Sequence, residues 1–280
     1  MSSGRAGDGD APARDYARPY SWWGHEHDEA TPRTLSWLIE AGTLGVREAA
    51  LLSLAIEMRR TLIIVAEEPR AGKTTLLTAL LDFMDPATRP VYVRGLYERF
   101  EFIEELDPAN RYVLCNEISA HLPTYLWGQG VRRLFDGLLA GFPLATTMHA
   151  ASAEDALAIL QRYPLEVSPE QAARIDLIVT LKMGMVDTRV VRRVIAIDRV
   201  LQRSGGLLTQ KLSERNPLRA APQIHSGRMV GALAQWGEID EDSAARLLAA
   251  QERFLTIAAE HNGSDPDAFR RQIARFRAGA

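Results

Sequence analysis

Short apolar runs alternate with amphipathic stretches through the middle of this chain. Six runs rich in aliphatic residues are typical of strands, and they cover residues 62–66, 91–93, 112–117, 144–148, 177–181 and 190–197. Apolar residues at helical spacing fall between most of these runs, over residues 75–83, 125–139 and 153–161. This alternation predicts an α/β fold with a mostly parallel sheet flanked by helices on both faces. In such sheets, ligands bind at the carboxyl ends of the strands.

The first 32 residues show no periodicity. They are rich in Gly, Ala, Asp, Arg and Pro, which predicts a flexible N-terminal arm. Trp22 and Trp23 interrupt this composition, and we expect them to dock on the domain or on a neighbour, because large exposed aromatic side chains are unfavourable. Residues 25–28 contain two histidines and two carboxylates, and could form a metal-binding tract.

Helices are predicted on both sides of the α/β region. Residues 34–41 and 47–59 have helical patterns before the first strand. After the turn signal at 204–206 no further strand pattern is present, and apolar repeats in 244–257 and 269–276 predict an entirely helical end. We therefore divide the chain into an arm over residues 1–32, an α/β core over 33–205 and a C-terminal helical region over 206–280.

Composition indicates an ordinary globular protein of 280 residues. The hydrophobic fraction of 46% is ample for a core, and the net charge of -3 argues against a nucleic-acid-binding protein. Apolar runs such as 49–56 are far shorter than the roughly 20 residues that a membrane helix needs. Residues 1–10 lack the apolar core of a signal peptide, so we expect a cytoplasmic protein. Cys115, the only cysteine, is expected to be buried as a small hydrophobic residue.

Residues 62–77 carry the strongest chemical signal. An apolar run ends at a loop that contains Gly72-Lys73-Thr74, and an amphipathic stretch follows. This spacing matches the Walker A pattern and predicts a P-loop NTPase core of the RecA-like kind. In this pattern backbone N–H groups and the helix N-terminus hold phosphates, Lys73 contacts the β- and γ-phosphates, and the Thr74 hydroxyl binds Mg²⁺. The residues predicted to bind the nucleotide are Pro69, Arg70, Ala71, Gly72, Lys73, Thr74 and Thr75.

The loop departs from the Walker A pattern at its first glycine, which is Glu67 here. Glycine suits that position because it reaches positive φ and lets the backbone approach the ligand. Glu67 is therefore expected to lower the affinity for a phosphate. The alternative interpretation is an ordinary strand–turn–helix unit with a lysine on its surface.

Two later strands end in polar side chains. The run 111–117 ends at Glu117, as a Walker B strand does, and a carboxylate there can orient Mg²⁺ through water or polarise an attacking water. The run 144–149 ends at His149, which could contact a γ-phosphate or signal its loss to a neighbouring subunit. Glu117 and His149 are thus the candidate catalytic residues, with Thr74 and Glu117 as the candidate metal ligands. The alternatives are a solvent-facing glutamate and a structural histidine.

The motifs, taken in order, resemble the ATPases of type II and type IV secretion, of type IV and tight-adherence pili and of archaeal flagella. The similarity extends over about residues 33–280. It rests on the turn at 34–44, the loop at 66–75, Asn116-Glu117, the histidine box at 140–152, the closing strands at 175–200 and the tail at 253–269.

This chain also differs from that family at several positions. Glu67 replaces a glycine. Arg94 and Gly95 replace the Glu-Asp pair of the family's acidic box, and Glu98 is the one acidic residue of that box that this chain keeps. Asn116 replaces the glycine before the Walker B glutamate, and Ser119 replaces an arginine after it. Residues 1–32 are too few for the family's N-terminal domain, which supplies arginines to the γ-phosphate. Arg70, Arg94, Arg132 and Arg133 are possible substitutes.

The resemblance implies a hexameric motor that uses ATP and Mg²⁺ and docks on an inner-membrane platform protein. We expect a divergent, weakly active ATPase that couples hydrolysis to protein export or pilus assembly, alone or together with a homologous ATPase. Docking on a platform would place it at the inner face of the membrane. The alternative is a non-hydrolysing paralogue that binds nucleotide and regulates an active ATPase. A DNA-translocating motor is disfavoured because the sequence has no basic stripe.

Overall fold

The computed structural model describes residues 14–19, 32–204, 206–216, 221–261 and 264–279. The strands found in these ranges are β1 (Leu62–Ala66), β2 (Arg89–Tyr92), β3 (Arg111–Ile118), β4 (Leu144–His149), β5 (Leu177–Val186), β6 (Arg189–Arg203), β7 (Gly206–Glu214) and β8 (Gln223–Ile224). The helices are α1 (Leu35–Glu40), α2 (Val46–Glu57), α3 (Lys73–Leu81), α4 (Phe102–Glu105), α5 (Gln129–Leu139), α6 (Ala153–Gln161), α7 (Pro169–Ala172), α8 (Ser226–Gly237), α9 (Glu241–Glu260) and α10 (Pro266–Arg277).

All the strands belong to one sheet with the order β2-β3-β4-β1-β5-β6-β7-β8. The five strands from β2 to β5 in this order pair in parallel. The last three strands extend the sheet through antiparallel pairs. The predicted fold class, an α/β fold with a mostly parallel sheet flanked by helices, is confirmed, and so is the predicted strand–loop–helix unit formed by β1 and α3.

Two hydrophobic layers cover the two faces of the sheet. Side chains alternate along β1, so Leu62 and Ile64 join the layer formed by α1–α3 and α8–α10, while Ile63 and Val65 join the layer formed by α5 and α6. All the residues of β1 are buried. A strand that is buried on both faces reads as a continuous apolar run, which explains why the sequence predicts it well.

Polar side chains fix the start of several helices. Ser152 accepts a hydrogen bond from the backbone N–H of Asp155 at 3.2 Å and begins α6. Asp240 accepts from the N–H of Ser243 at 2.8 Å and begins α9. Such caps satisfy backbone donors that have no partner within the helix.

The region after residue 206 is not entirely helical, and that prediction is wrong at its start. Residues 206–214 form β7, which pairs with β6, and β8 follows before α8 begins. The strand pattern is weak because polar residues fill much of β7, and two of them make specific contacts. Lys211 lies 2.8 Å from the Asp198 carboxylate, and the buried Ser213 hydroxyl donates to Glu48. The helices α8–α10 pack on the core through their apolar residues.

Part of the predicted flexible arm is packed on the domain. Tyr16 is buried, its carbonyl accepts the N–H of Tyr92 at 2.9 Å, and its hydroxyl donates to Glu105 at 2.6 Å. The prediction of a flexible arm is therefore wrong for residues 14–19. The two tryptophans and the histidine tract, at 22–23 and 25–28, lie outside the described residues.

Cys115 is buried in β3, as expected, and burial raises the pKa of its thiol to about 12. It therefore stays a protonated, unreactive side chain at neutral pH. Within the ranges that the structure describes, no helix combines the length and the apolar character needed to cross a membrane.

Candidate active site

The carboxyl ends of three strands bring the sequence motifs together at one edge of the sheet. Strand β4 lies between β1 and β3, and Ala66 at the end of β1 pairs with His149 at the end of β4. On the other side of β4, the register of β3 shifts between Cys115 and Ile118, in the segment that carries Glu117. A bulge of this kind redirects side chains at a sheet edge. The loop after β1, Glu117 and His149 are therefore neighbours in space.

The loop between β1 and α3 has the geometry of an anion-binding turn. Gly72, the N-cap of α3, has φ of 95°, a left-handed conformation that glycine adopts without a steric penalty. In the described part of the chain no side chain caps this helix, and its first turn holds no acidic residue. The first N–H groups of α3 and the positive end of its dipole are therefore available to an anion.

The strained residue of the loop is Arg70, not Glu67. Arg70 has φ of 61°, whereas Glu67 is not among the residues with positive φ. The expectation that position 67 needs the positive φ of a glycine is therefore wrong for this loop. The Glu67 side chain is exposed, and its carbonyl faces Nδ1 of His149 at 3.4 Å. Glu67 therefore differs from the glycine of the Walker A pattern in its negative charge, and not in a need for positive φ.

Lys73 begins α3 and is buried, with 6% of its surface exposed. Its Nζ lies 4.0 Å from Oε2 of Glu117. Burial lowers the pKa of Lys73, and the Glu117 charge offsets part of this shift. The alternative of a lysine on the protein surface is thereby excluded. The ammonium is instead a partly desolvated cation beside the anion-binding turn.

Glu117 is also buried, with 7% of its surface exposed. Its two carboxylate oxygens face different partners. Oε1 lies 3.1 Å from Nε2 of His149, while Oε2 accepts from the Thr147 hydroxyl at 3.4 Å and faces Lys73. The alternative of a solvent-facing glutamate is excluded. A buried carboxylate between a cation and an imidazole is placed to hold a metal ion or to accept a proton from water.

The remaining residues of the predicted loop differ in exposure. Ala71 is buried and Thr74 is half-buried in the first turn of α3, whereas Pro69 and Thr75 are exposed. The Thr74 backbone carbonyl accepts the hydroxyl of Thr78 at 2.9 Å. Of the two threonines, Thr74 is therefore the less exposed.

Glu98, the acidic residue that the sequence places close to Arg94, is bound by other groups of the chain. Its carboxylate binds the Arg14 guanidinium at 2.6 Å and accepts the backbone N–H groups of Arg94 and Phe100, each at 2.9 Å. Burial raises the pKa of Glu98, but these hydrogen bonds outweigh it and the pKa is lowered. Glu98 is an ionised anchor for the N-terminal segment.

Of the arginines proposed from the sequence, Arg70 is an exposed residue of the loop itself, whereas two others pair elsewhere, and the structure places a further arginine at the loop. Arg132 pairs with Glu166 at 2.9 Å and Arg133 with Asp136 at 3.4 Å, away from α3. Arg192 of β6 instead donates from Nε to the Arg70 carbonyl at 2.9 Å. Sequence reasoning missed it because β6 follows the loop by more than a hundred residues, and only the β5–β6 hairpin brings it there.

No protein-family model and no curated protein matches this chain. Among solved structures, the VirB11 ATPase of the Brucella suis type IV secretion system, in complex with sulphate, is similar with 21% identity and a TM-score of 0.38. The match covers 62% of this chain and 58% of the VirB11 chain. The ATPase DotB from Legionella pneumophila is similar with 14% identity and a TM-score of 0.36, over 81% of this chain and 63% of the DotB chain.

Proposed function

We propose that this protein is a motor ATPase of the secretion and pilus-assembly kind, which couples ATP hydrolysis to protein export or pilus assembly. The observation that carries the proposal is the meeting of Lys73, Glu117 and His149 beside the uncapped N-terminus of α3. Each group comes from a different strand end or helix start, and the roles that we assign to them are phosphate binding for Lys73, water activation for Glu117 and phosphate sensing for His149.

ATP would be held by the loop from Pro69 to Thr75. The N–H groups of the first turn of α3 and the helix dipole favour the negative phosphates. Lys73 adds a cation whose desolvation strengthens its interaction with an anion. Arg192, which is fixed to the loop backbone, adds a second positive charge at the same place.

The residues at the site fit a Mg²⁺ ion. Thr74 lies in the first turn of α3, and the Glu117 carboxylate is buried opposite Lys73, so hard oxygen donors are present. Bound Mg²⁺ would neutralise the negative charge of the phosphates. Thr74 would hold it directly, and Glu117 directly or through water.

Glu117 is the proposed base that orients and deprotonates the attacking water. Next to it, the side-chain nitrogen of Asn116 is buried and has no hydrogen-bond partner among the described residues. Buried donors of this kind are usually satisfied by ordered water. Asn116 could therefore help to hold a water molecule beside the Glu117 carboxylate. His149, bound to Glu117, would sense the γ-phosphate.

One observation favours the alternative of a non-hydrolysing, nucleotide-binding paralogue. Glu98 is held by Arg14 and by backbone N–H groups, so it does not serve as a free carboxylate in this conformation. A chain of this kind would bind ATP and regulate or assemble with an active homologue. Measuring turnover of the purified chain, alone and mixed with such a homologue, distinguishes the two.

The proposed assembly is a ring, with six copies of this chain or with copies of a homologous ATPase. Its proposed partner is a platform protein in the inner membrane, with the motor on the cytoplasmic side and no nucleic acid involved. Met185 and Val190, at the end of the β5–β6 hairpin, are more than half exposed and offer apolar surface for such contacts. Light scattering with and without Mg²⁺-ATP tests the ring.

The test of nucleotide binding is the variant Lys73→Ala. We expect it to weaken ATP binding by about 10- to 100-fold, because a hydrogen bond to a charged group contributes about 1.5–3 kcal/mol. Isothermal calorimetry in Mg²⁺ measures the change, and Arg253→Ala, which removes an exposed cation on α9, is the control. Equal ATP affinity in the two variants would contradict the assignment of the loop.

The charge of Glu67 gives a second prediction. Glu67→Gln and Glu67→Gly are both expected to tighten ATP binding by about 2- to 5-fold, since each removes an exposed negative charge that repels the phosphates, and interactions between exposed charges contribute about 0.2–1 kcal/mol. The two variants should agree because the backbone at this position does not need positive φ. The same calorimetric titration measures them. A gain in Glu67→Gly alone would mean that the backbone, not the charge, limits the affinity.

A further inference from the structure

A cluster of two histidines and one carboxylate lies at the mouth of the site. One ligand atom from each of Glu117, His121 and His149 falls within 4.8 Å of the others. Glu117 is buried, His149 is partly buried and His121 is exposed on the loop after β3. The rings of His121 and His149 are 5.4 Å apart, centre to centre. The role proposed above uses Glu117 and His149 but gives His121 no part.

His149 lies between two hydrogen-bond acceptors. Its Nε2 faces Oε1 of Glu117 at 3.1 Å, and its Nδ1 faces the Glu67 carbonyl at 3.4 Å. Both neighbours are acceptors, whereas a neutral imidazole has one N–H. In the tautomer whose Nδ1–H donates to the carbonyl, the Nε2 lone pair faces Oε1 of Glu117. This is the tautomer in which Nε2 and Oε1 can bind one cation between them.

The spacing between the Glu117 and His149 ligand atoms suits a tetrahedral transition-metal site. With metal–ligand bonds of about 2.0–2.1 Å, neighbouring ligand atoms lie about 3.3 Å apart, close to the spacing of the Glu117 and His149 atoms. A carbonyl that accepts the second N–H of a ligating histidine is the usual support for such a ligand. His121 is exposed, so its side chain can move closer and supply the third bond.

We propose that Glu117, His121 and His149 form a binding site for a divalent transition-metal ion such as Zn²⁺, with a fourth position open to water. Two imidazoles and one carboxylate favour Zn²⁺, Co²⁺ or Ni²⁺ over Mg²⁺, which prefers oxygen donors. The site is therefore separate in chemistry from the Mg²⁺ position at Thr74, although Glu117 belongs to both.

Occupation of this site has a consequence that rests on the proposed function. A transition-metal ion bound by Glu117 and His149 removes the carboxylate from water activation and the imidazole from the γ-phosphate. Zn²⁺ should then inhibit ATP turnover, and a chelator should restore it. His121 does not belong to the nucleotide site, so His121→Ala should keep basal turnover and lose the inhibition.

The test is titration of the untagged protein with Co²⁺, followed by visible absorption, and with Zn²⁺, followed by calorimetry. Residues His25 and His27 are replaced by Ala in every sample, so that the N-terminal tract does not contribute. We expect one Co²⁺ per chain with the intense bands of four-coordinate cobalt, insensitive to excess Mg²⁺. His121→Ala should weaken binding by about 10- to 100-fold or more, while His261→Ala, at the end of α9, should not.

Two results would overturn the metal site. One is the absence of tight Co²⁺ binding to the parent, and the other is equal binding by His121→Ala and His261→Ala. Circular dichroism and thermal unfolding check that His121→Ala is folded. These titrations do not depend on ATP. If the protein binds Co²⁺ but neither binds nor hydrolyses ATP, the proposed function fails and the metal site stands.

Discussion

Glu117→Gln is expected to lower ATP turnover by about 10²- to 10⁴-fold, the range attributed to a general base. The amide keeps the shape of the side chain but cannot accept a proton from water. ATP affinity near neutral pH should change little, because Lys73 and the first turn of α3 remain. Steady-state phosphate release gives the turnover number, and calorimetry gives the affinity.

The control for this variant is Glu104→Gln, which removes an exposed carboxylate on α4. It should behave as the parent does. If Glu117→Gln turns over ATP at the parent rate, another residue is the base. A parent chain that binds ATP without any turnover would instead favour the non-hydrolysing paralogue.

The same variant should shift the pH dependence of ATP binding. Burial lowers the pKa of Lys73, and the Glu117 charge works in the opposite direction. Replacing Glu117 by the neutral Gln removes that support, so the pKa of Lys73 falls further. Because the protonated lysine binds phosphate, affinity should begin to fall at a lower pH than in the parent. Titrations at increasing pH measure this difference.

The parts of the fold that the sequence predicts best are those whose two ends are marked by local residues. Residues 62–66 and 153–161 agree with β1 and α6 at both ends, because continuous apolar burial and a serine cap mark them plainly. Strand β6 continues to Arg203, well beyond the predicted 197, because its later residues pair with β7. The local sequence pattern of a strand does not show which other strand it pairs with or how far that pairing extends.

In the candidate site too, the features marked by local sequence could be predicted and those set by tertiary contacts could not. The Gly72-Lys73-Thr74 motif is local, so the loop could be predicted, and so could the strand-end positions of Glu117 and His149. The contacts between these side chains could not be predicted, because they depend on the β3 bulge and on the tertiary placement of His121 and Arg192. The backbone conformation of the loop could not be predicted either, since nothing in the sequence assigns positive φ to Arg70 instead of position 67.

A buried ion pair outside the site joins β7 to α2. Nη2 of Arg215 lies 3.0 Å from Oε2 of Glu48, and both side chains are almost completely buried. Glu48 also accepts the N–H of Gly45 at 2.6 Å and closes the start of α2, and Arg215 donates to the Gly42 carbonyl at 3.2 Å. The pair therefore ties the strand that was not predicted to the first helices of the core.

Arg215→Met is expected to lower the free energy of unfolding by about 3–5 kcal/mol, because it leaves the Glu48 carboxylate buried without its cation. Chemical denaturation measures the change. The control is Arg47→Ala, whose ion pair with Glu252 at 3.1 Å is about one-third exposed and should contribute less than about 1 kcal/mol. Adding Glu48→Gln to Arg215→Met removes the stranded charge and should recover part of the loss. Similar losses in Arg215→Met and Arg47→Ala would show that solvent reaches the buried pair, and that β7 is held by its backbone hydrogen bonds to β6 rather than by Arg215.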